Sequence, residues 1–192
     1  MNTSIYHHDI QQSLIILNSG GVILYPTDTV WGLGCDATNP KAIDRIYKIK
    51  KRASKQNLLV LVANVEMLSS CVHQVPDVAF QFLYLTEKPM SIIYPKAKNL
   101  PENLIADDGS IGIRLVKERF CQDLINEFGR PIVSTSANIS GEATPGIFAD
   151  ISDTIRKSVD YIVQWRQDDN REATASTILK VTEKETIHMI RR

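Results

Sequence analysis

Apolar residues at Ile10, Leu14 and Leu17 fall on one helical stripe, which predicts a helix over residues 9–18. Gly20-Gly21 supplies a left-handed stop, and residues 22–25 read as a short apolar strand ended by Pro26. The next helix carries Ala42, Ile43, Ile46 and Ile49 on one face, capped by Asn39 or Asp36. Beyond it, residues 58–62 form a continuous apolar strand, 65–71 and 77–85 two short helices, and 89–94 a strand whose polar residue is Ser91. Residues 100–108 look irregular, 110–116 alternate as a strand, and 119–128 place Phe120, Leu124 and Phe128 on one side of a helix ended by Gly129. After a buried strand at Ile132-Val133 and a turn at Thr144-Pro145-Gly146, the pattern predicts a weak helix over 151–159 and a strand over 161–165. A polar loop over 166–175 and strands over 176–181 and 186–190 complete the chain. Without a repeat, a low-complexity tract or a linker, this reads as one α/β domain, a twisted mixed sheet flanked by helices.

The bulk numbers narrow the chemistry. A chain of 192 residues suits one domain, and 43% hydrophobic content is enough for a substantial core. Lys+Arg and Asp+Glu balance at 22 each, so any anion site must be local rather than a property of the whole field. Cys35, Cys71 and Cys121 lack metal-like spacing and suggest reduced thiols in a cytoplasmic protein. Neither a signal pattern nor an apolar run long enough to span a bilayer is present, so no membrane partner is expected.

Four stretches carry candidate chemistry. In residues 130–141 the apolar strand changes character abruptly, with Ser134, Thr135, Ser136, Asn138 and Ser140 following it. Small donors and acceptors leaving the C-terminal end of a strand mark the ligand side of open α/β sheets, although a capping turn uses the same residues. The run Thr27-Asp28-Thr29-Val30-Trp31-Gly32-Leu33-Gly34 reads as a polar turn after a strand, suited either to a ligand or to a tight bend. Residues 48–55 hold five cations in eight positions, either a solvated helix end or an arm for polyphosphate. Arg114 sits among apolar neighbours in an alternating strand, where it requires an ion-pair partner or an anionic ligand; the ligand is the expectation.

Laid end to end, these stretches resemble the YrdC-like family of threonylcarbamoyl-AMP (L-threonylcarbamoyladenylate) synthases. The match runs through the Pro26–Gly34 motif, Lys50-Lys51-Arg52, Gly112-Ile113-Arg114, Ser134-Thr135-Ser136-Ala137-Asn138, Ser176-Thr177-Ile178 and Ile190-Arg191. The resemblance implies a YrdC/RibB-type fold over residues 1–192, its core roughly from residue 8, without the extra C-terminal domain of longer relatives. It also implies a nucleotidyltransferase. L-threonine, bicarbonate and ATP, with Mg²⁺ carried by the nucleotide, give threonylcarbamoyl-adenylate and pyrophosphate, and partner transferase proteins move the threonylcarbamoyl group onto tRNA beside the anticodon.

Carried onto this chain, the family pattern sets threonine against Thr29, Arg114, Ser134 and Ser176. It sets ATP against Lys50, Arg52, Gln56, Ser110, Ser136, Asn138, Thr144 and Arg191, with Lys50 and Arg52 in the catalytic role of offsetting charge on the leaving pyrophosphate. No protein-bound metal is implied. The departures are Trp31 for the family's Tyr, Ala53 and Asn57 after the basic motif, Leu85–Ser91 in place of a Trp-Pro-Gly-Pro-x-Thr segment, Val116 for a Pro, and an end at Arg192. Competing readings are a YciO-like paralogue and a double-stranded RNA or tRNA binding module whose contacts lie in residues 48–55. Carbamoyl transfer in hydrogenase maturation is a weaker one, since it belongs to a much larger protein.

Overall fold

The computed structural model describes residues 3–52, 58–86 and 88–191. Among them a nine-stranded sheet runs in the order β7-β1-β2-β6-β3-β5-β4-β8-β9. The strands are β1 (Ile23–Tyr25), β2 (Gly32–Asp36), β3 (Leu59–Val62), β4 (Met90–Tyr94), β5 (Ile111–Leu115), β6 (Ile132–Ser136), β7 (Tyr161–Ile162), β8 (Thr177–Val181) and β9 (Ile187–Arg191). Pairs β1·β7, β3·β5 and β4·β8 are parallel and the rest antiparallel, giving the expected mixed sheet.

Register decides which face does what. Ser134, Leu59, Gly112, Ile93 and Lys180 stand side by side across five strands. Successive residues on a strand point to opposite faces, so Val133, Val60, Ile113, Ile92 and Leu179 form the neighbouring row, and all five are buried. The apolar row belongs to the core with α1 (Thr3–Asn18) and α5 (Arg119–Phe128), which pack on each other and against the sheet. The other row faces a cavity.

Several elements match the pattern to the residue, namely α3 (Val65–Cys71), α4 (Asp77–Leu85) and α5. For α2 (Pro40–Ile49) the cap is Asn39, whose side chain accepts from Lys41 N and Ala42 N. Gly20, at φ 77, provides the stop after α1. That helix begins earlier than expected, because Tyr6 packs edge-on against Phe120 and Trp165 and donates to Asp123 at 2.6 Å. Tertiary contact, not periodicity, extends it.

The expected polar turn ending at Gly34 is corrected: Gly32 and Gly34 lie inside β2, paired with Ser136 and Ser134. Gly34 is needed there for space, since a Cβ would sit 2.6 Å from Tyr25 Cε1. β6 likewise continues past Val133, so its hydroxyls leave from within a strand. The weak helix over 151–159 shrinks to α6 (Asp153–Arg156), and β7 has only two residues. Between them Asp160 is drawn to the sheet edge, accepting from Val22 N at 2.8 Å and pairing with Arg45. No described helix is long and apolar enough to cross a membrane.

Candidate active site

The cavity measures about 630 Å³ and is lined from both halves of the chain. Its walls carry Thr29, Ser134 and Ser176 with Arg114, and also Arg52, Ser110, Ser136, Thr144 and Arg191. The structure thus gathers nine of the twelve expected positions around one space. Gln56, with the departures at Ala53 and Asn57, lies outside the described residues, as does Arg192.

At one end stands Arg114 on β5, almost fully buried. Its Nη1 donates to Thr29 Oγ1 at 3.0 Å, and its Nη2 lies 3.2 Å from Asp28 Oδ1. The ion-pair alternative therefore exists, through an acid that sequence reasoning passed over, and the guanidinium still lines the cavity. Among the described residues, the buried Arg114 Nε has no hydrogen-bond partner. The turn that holds it is closed by Thr27, whose Oγ1 accepts from Thr29 N at 3.0 Å and donates to Val30 O at 2.8 Å. Ser176 completes this end: its hydroxyl lies 2.9 Å from Ser91 Oγ, which places the Ser91 of the divergent segment directly behind the cavity wall.

At the other end, Lys51 takes φ 50, a left-handed conformation that turns the chain after α2 and delivers Arg52 to the cavity wall. Lys50 behaves differently. It is 2% exposed and does not line the cavity. Its Nζ donates to Ser136 O at 2.6 Å, Asn138 O at 2.7 Å and Asn138 Oδ1 at 3.3 Å. Desolvation, then the Arg52 charge, pulls its pKa down to about 8. Asn138 also stands behind the wall, accepting from Ser136 Oγ at 2.5 Å and donating to Glu142 O at 2.8 Å. Both residues build the loop that presents Ser136 rather than facing open space.

Ser110 donates to Asp108 Oδ1 at 2.5 Å, while Lys180 donates to Asp108 Oδ2 at 2.7 Å. Those hydrogen bonds, Lys180's first, hold the Asp108 carboxyl down to about 2. Lys180 and Asp108 line the cavity and were missed, although the alternation Ser176, Ile178, Lys180 along β8 would have found the lysine. Arg191 donates through Nε and Nη2 to Ser176 O at 3.1 and 2.8 Å, tying β9 to the end of the loop over residues 166–175. That loop is fastened at Arg166, which donates to Thr27 O at 3.1 Å, and at Ala173, whose N–H donates to Gly146 O at 3.3 Å.

The cavity offers cations, hydroxyls and backbone donors, suited to holding anions in position. Cys35, Cys71 and Cys121 are buried away from it, and burial raises the pKa of each thiol.

Residues 15–192 match the Sua5–YciO–YrdC family model, described as telomere recombination. A threonylcarbamoyl-AMP synthase of Photobacterium profundum is 35% identical over 136 residues, covering 69% of this chain and 74% of that protein. Sua5 of P. abyssi, solved as a doubly substituted variant and in complex with L-threonine, aligns with TM-scores of 0.83 and 0.80 at 25% and 24% identity. The alignments cover 95% and 91% of this chain, which spans about half of that protein, 55% and 51%. E. coli YciO aligns with a TM-score of 0.82 at 28% identity, covering 95% of this chain and 88% of its own. With a matched model reaching from residue 15 to the last residue and a fold shared with these structures, the chain belongs to the Sua5–YciO–YrdC family.

Proposed function

We infer that this protein is a threonylcarbamoyl-AMP synthase, converting L-threonine, bicarbonate and ATP to threonylcarbamoyl-adenylate and pyrophosphate for tRNA modification. The observation that carries it is the convergence on one cavity of a carboxylate-sized hydroxyl and guanidinium cluster (Thr29, Arg114, Ser134, Ser176) and a second set of cations and hydroxyls. The curated relative of that name supports the reading at 35% identity.

Threonine sits with its carboxylate at Arg114 and its polar atoms toward Ser134 and Ser176. Its amine takes up bicarbonate with loss of water, and a carbamate oxygen attacks the α-phosphorus of ATP. The bond between the α-phosphorus and the bridging oxygen breaks, and pyrophosphate leaves with that oxygen and its electron pair. The substrate supplies the nucleophile, so the protein's work is positioning and neutralisation of the leaving group. Arg52 and Arg191 meet the phosphates, Ser110, Ser136 and Thr144 their oxygens or the nucleoside, and Gln56 joins this set. Magnesium arrives with the nucleotide. Lys50 and Asn138 act one layer back, holding the Ser136 loop. Downstream transferases and tRNA then receive the adenylate, which places the step in the cytoplasm.

The test is pyrophosphate release by the purified protein given threonine, bicarbonate, ATP and Mg²⁺, with the adenylate identified by mass. Release that stops when threonine is omitted supports the reading. RNA binding without threonine-dependent pyrophosphate would return the protein to the RNA-module reading, and absence of both would favour the YciO-like one.

A further inference from the structure

The threonine end of the cavity contains a contradiction that the family reaction does not resolve. Arg114 is a buried cation, and it lines the same cavity as Arg191. Two guanidinium groups lining one polar cavity are a better receptor for pyrophosphate or a triphosphate tail than for a monocarboxylate. ATP and its product both carry such groups, so an uncompensated Arg114 would invite them into the amino-acid end.

Asp28 pairs with Arg114 and lines a separate depression that also carries Arg166 and Arg171. Its side chain is 9% exposed and, unlike Thr27 and Thr29 on either side, it does not line the main cavity. Its Oδ1 is 3.2 Å from Arg114 Nη2, and among the described residues neither carboxylate oxygen has a hydrogen-bond partner. The cation paired with it is Arg114. Arg166 supports it from outside by donating to the preceding Thr27 carbonyl at 3.1 Å.

Resting on the threonine assignment above, we propose that Asp28 is a specificity-determining residue that sorts carboxylate from phosphate: it stands against one nitrogen of the Arg114 guanidinium and offsets its charge. The pair presents N–H donors and little net charge, enough to bind a monocarboxylate and too little to draw in a polyphosphate. The same logic operates across the cavity at Lys180, whose charge Asp108 offsets.

The experiment uses calorimetric titration of L-threonine into the intact protein, with and without saturating inorganic pyrophosphate, for wild type, Asp28→Asn and Arg114→Ala. In wild type, pyrophosphate leaves the threonine Kd unchanged within about twofold. In Asp28→Asn, pyrophosphate competes and raises the threonine Kd by about tenfold or more, because the wrong anion now occupies the site. A structural role alone would alter folding or weaken threonine binding equally with and without pyrophosphate. Indifference to pyrophosphate in Asp28→Asn, alongside weakened threonine binding in Arg114→Ala, overturns this inference and leaves the threonine assignment standing. Unchanged threonine binding in Arg114→Ala overturns both. Asp28→Ser is the second variant should the amide prevent folding, and if neither folds Asp28 is a folding residue and the inference fails.

Discussion

Replacing Lys50 by methionine removes an ammonium that donates to Ser136 O and Asn138 O at 2.6 and 2.7 Å from a site with 2% exposure. Each carbonyl that loses its partner in a buried setting costs about 1–3 kcal/mol. Against this, methionine fills similar volume and needs no ammonium desolvated, so the net loss is about 2 kcal/mol. For a domain of this size that lowers the thermal midpoint by about 4–8 °C. Because the two carbonyls shape the loop carrying Ser136, the KM for ATP should rise by about tenfold as well. Thermal denaturation and steady-state pyrophosphate release measure the two effects on one preparation.

The pH dependence gives a second check. The folded pKa of Lys50 is about 8, below the ordinary 10.5, so its proton is held less tightly in the folded protein. The charged amine therefore costs stability below about pH 8, and that cost is relieved as the pH climbs from about 8 toward 10.5. The neutral amine keeps two N–H donors for its carbonyls. Buried thiols and phenols such as Cys35 and Tyr25, with raised pKa values, act in the opposite direction in both proteins. The gap between wild-type and Lys50→Met midpoints should thus widen between about pH 7.5 and about pH 9.5. An unchanged midpoint combined with lost ATP binding would refute the reasoning, since Lys50 would then face the nucleotide instead of pinning the loop behind it.

Arg52→Ala should cut turnover by about tenfold or more with little change in the thermal midpoint, and wild-type turnover would remove Arg52 from leaving-group stabilisation. Gly34→Ala places a Cβ 2.6 Å from Tyr25 Cε1 in a fully buried strand pair, which should cost about 2–3 kcal/mol in chemical denaturation. A neutral result there would mean Tyr25 has room to move. Asp108, held at about 2 in the folded protein, contributes stability present above about pH 4 and lost as the pH falls toward 2. Asp108→Asn should remove that acid-sensitive part, worth under about 1 kcal/mol for an ion pair at a solvent-exposed rim, in denaturation curves compared at about pH 6 and about pH 3.

Much was legible because local rules sufficed. The stripe in α5, the Asn39 cap of α2 and the apolar run of β3 are decided by neighbours within a few residues, so periodicity found them. The motifs holding Arg114, Ser134 and Ser176 could be read as strand-borne polar residues, and the one holding Arg52 as the basic end of a helix. Their types were compatible with anion binding and equally with a capping turn or a solvated helix end, and the family resemblance decided between them.

What the chain could not disclose in one dimension was partnership across distance. Whether Arg114 met a ligand or an acid depended on β5 lying where the 27–29 turn passes, and Asp28 is 86 positions away in the chain. Lys50 looked like one more cation in a basic run, yet the end of α2 abuts the end of β6 and turns that charge toward two carbonyls. Gly32 and Gly34 looked like a turn because glycine is permissive, and strand pairing made them a floor where a side chain would collide. Local propensity and hydrophobic period are properties of short segments, so sequence alone determined elements such as α3, α4 and α5 and, through the family resemblance, the kind of chemistry. Charge compensation and close approach need residues that only the folded sheet brings together, and these the tertiary structure decided.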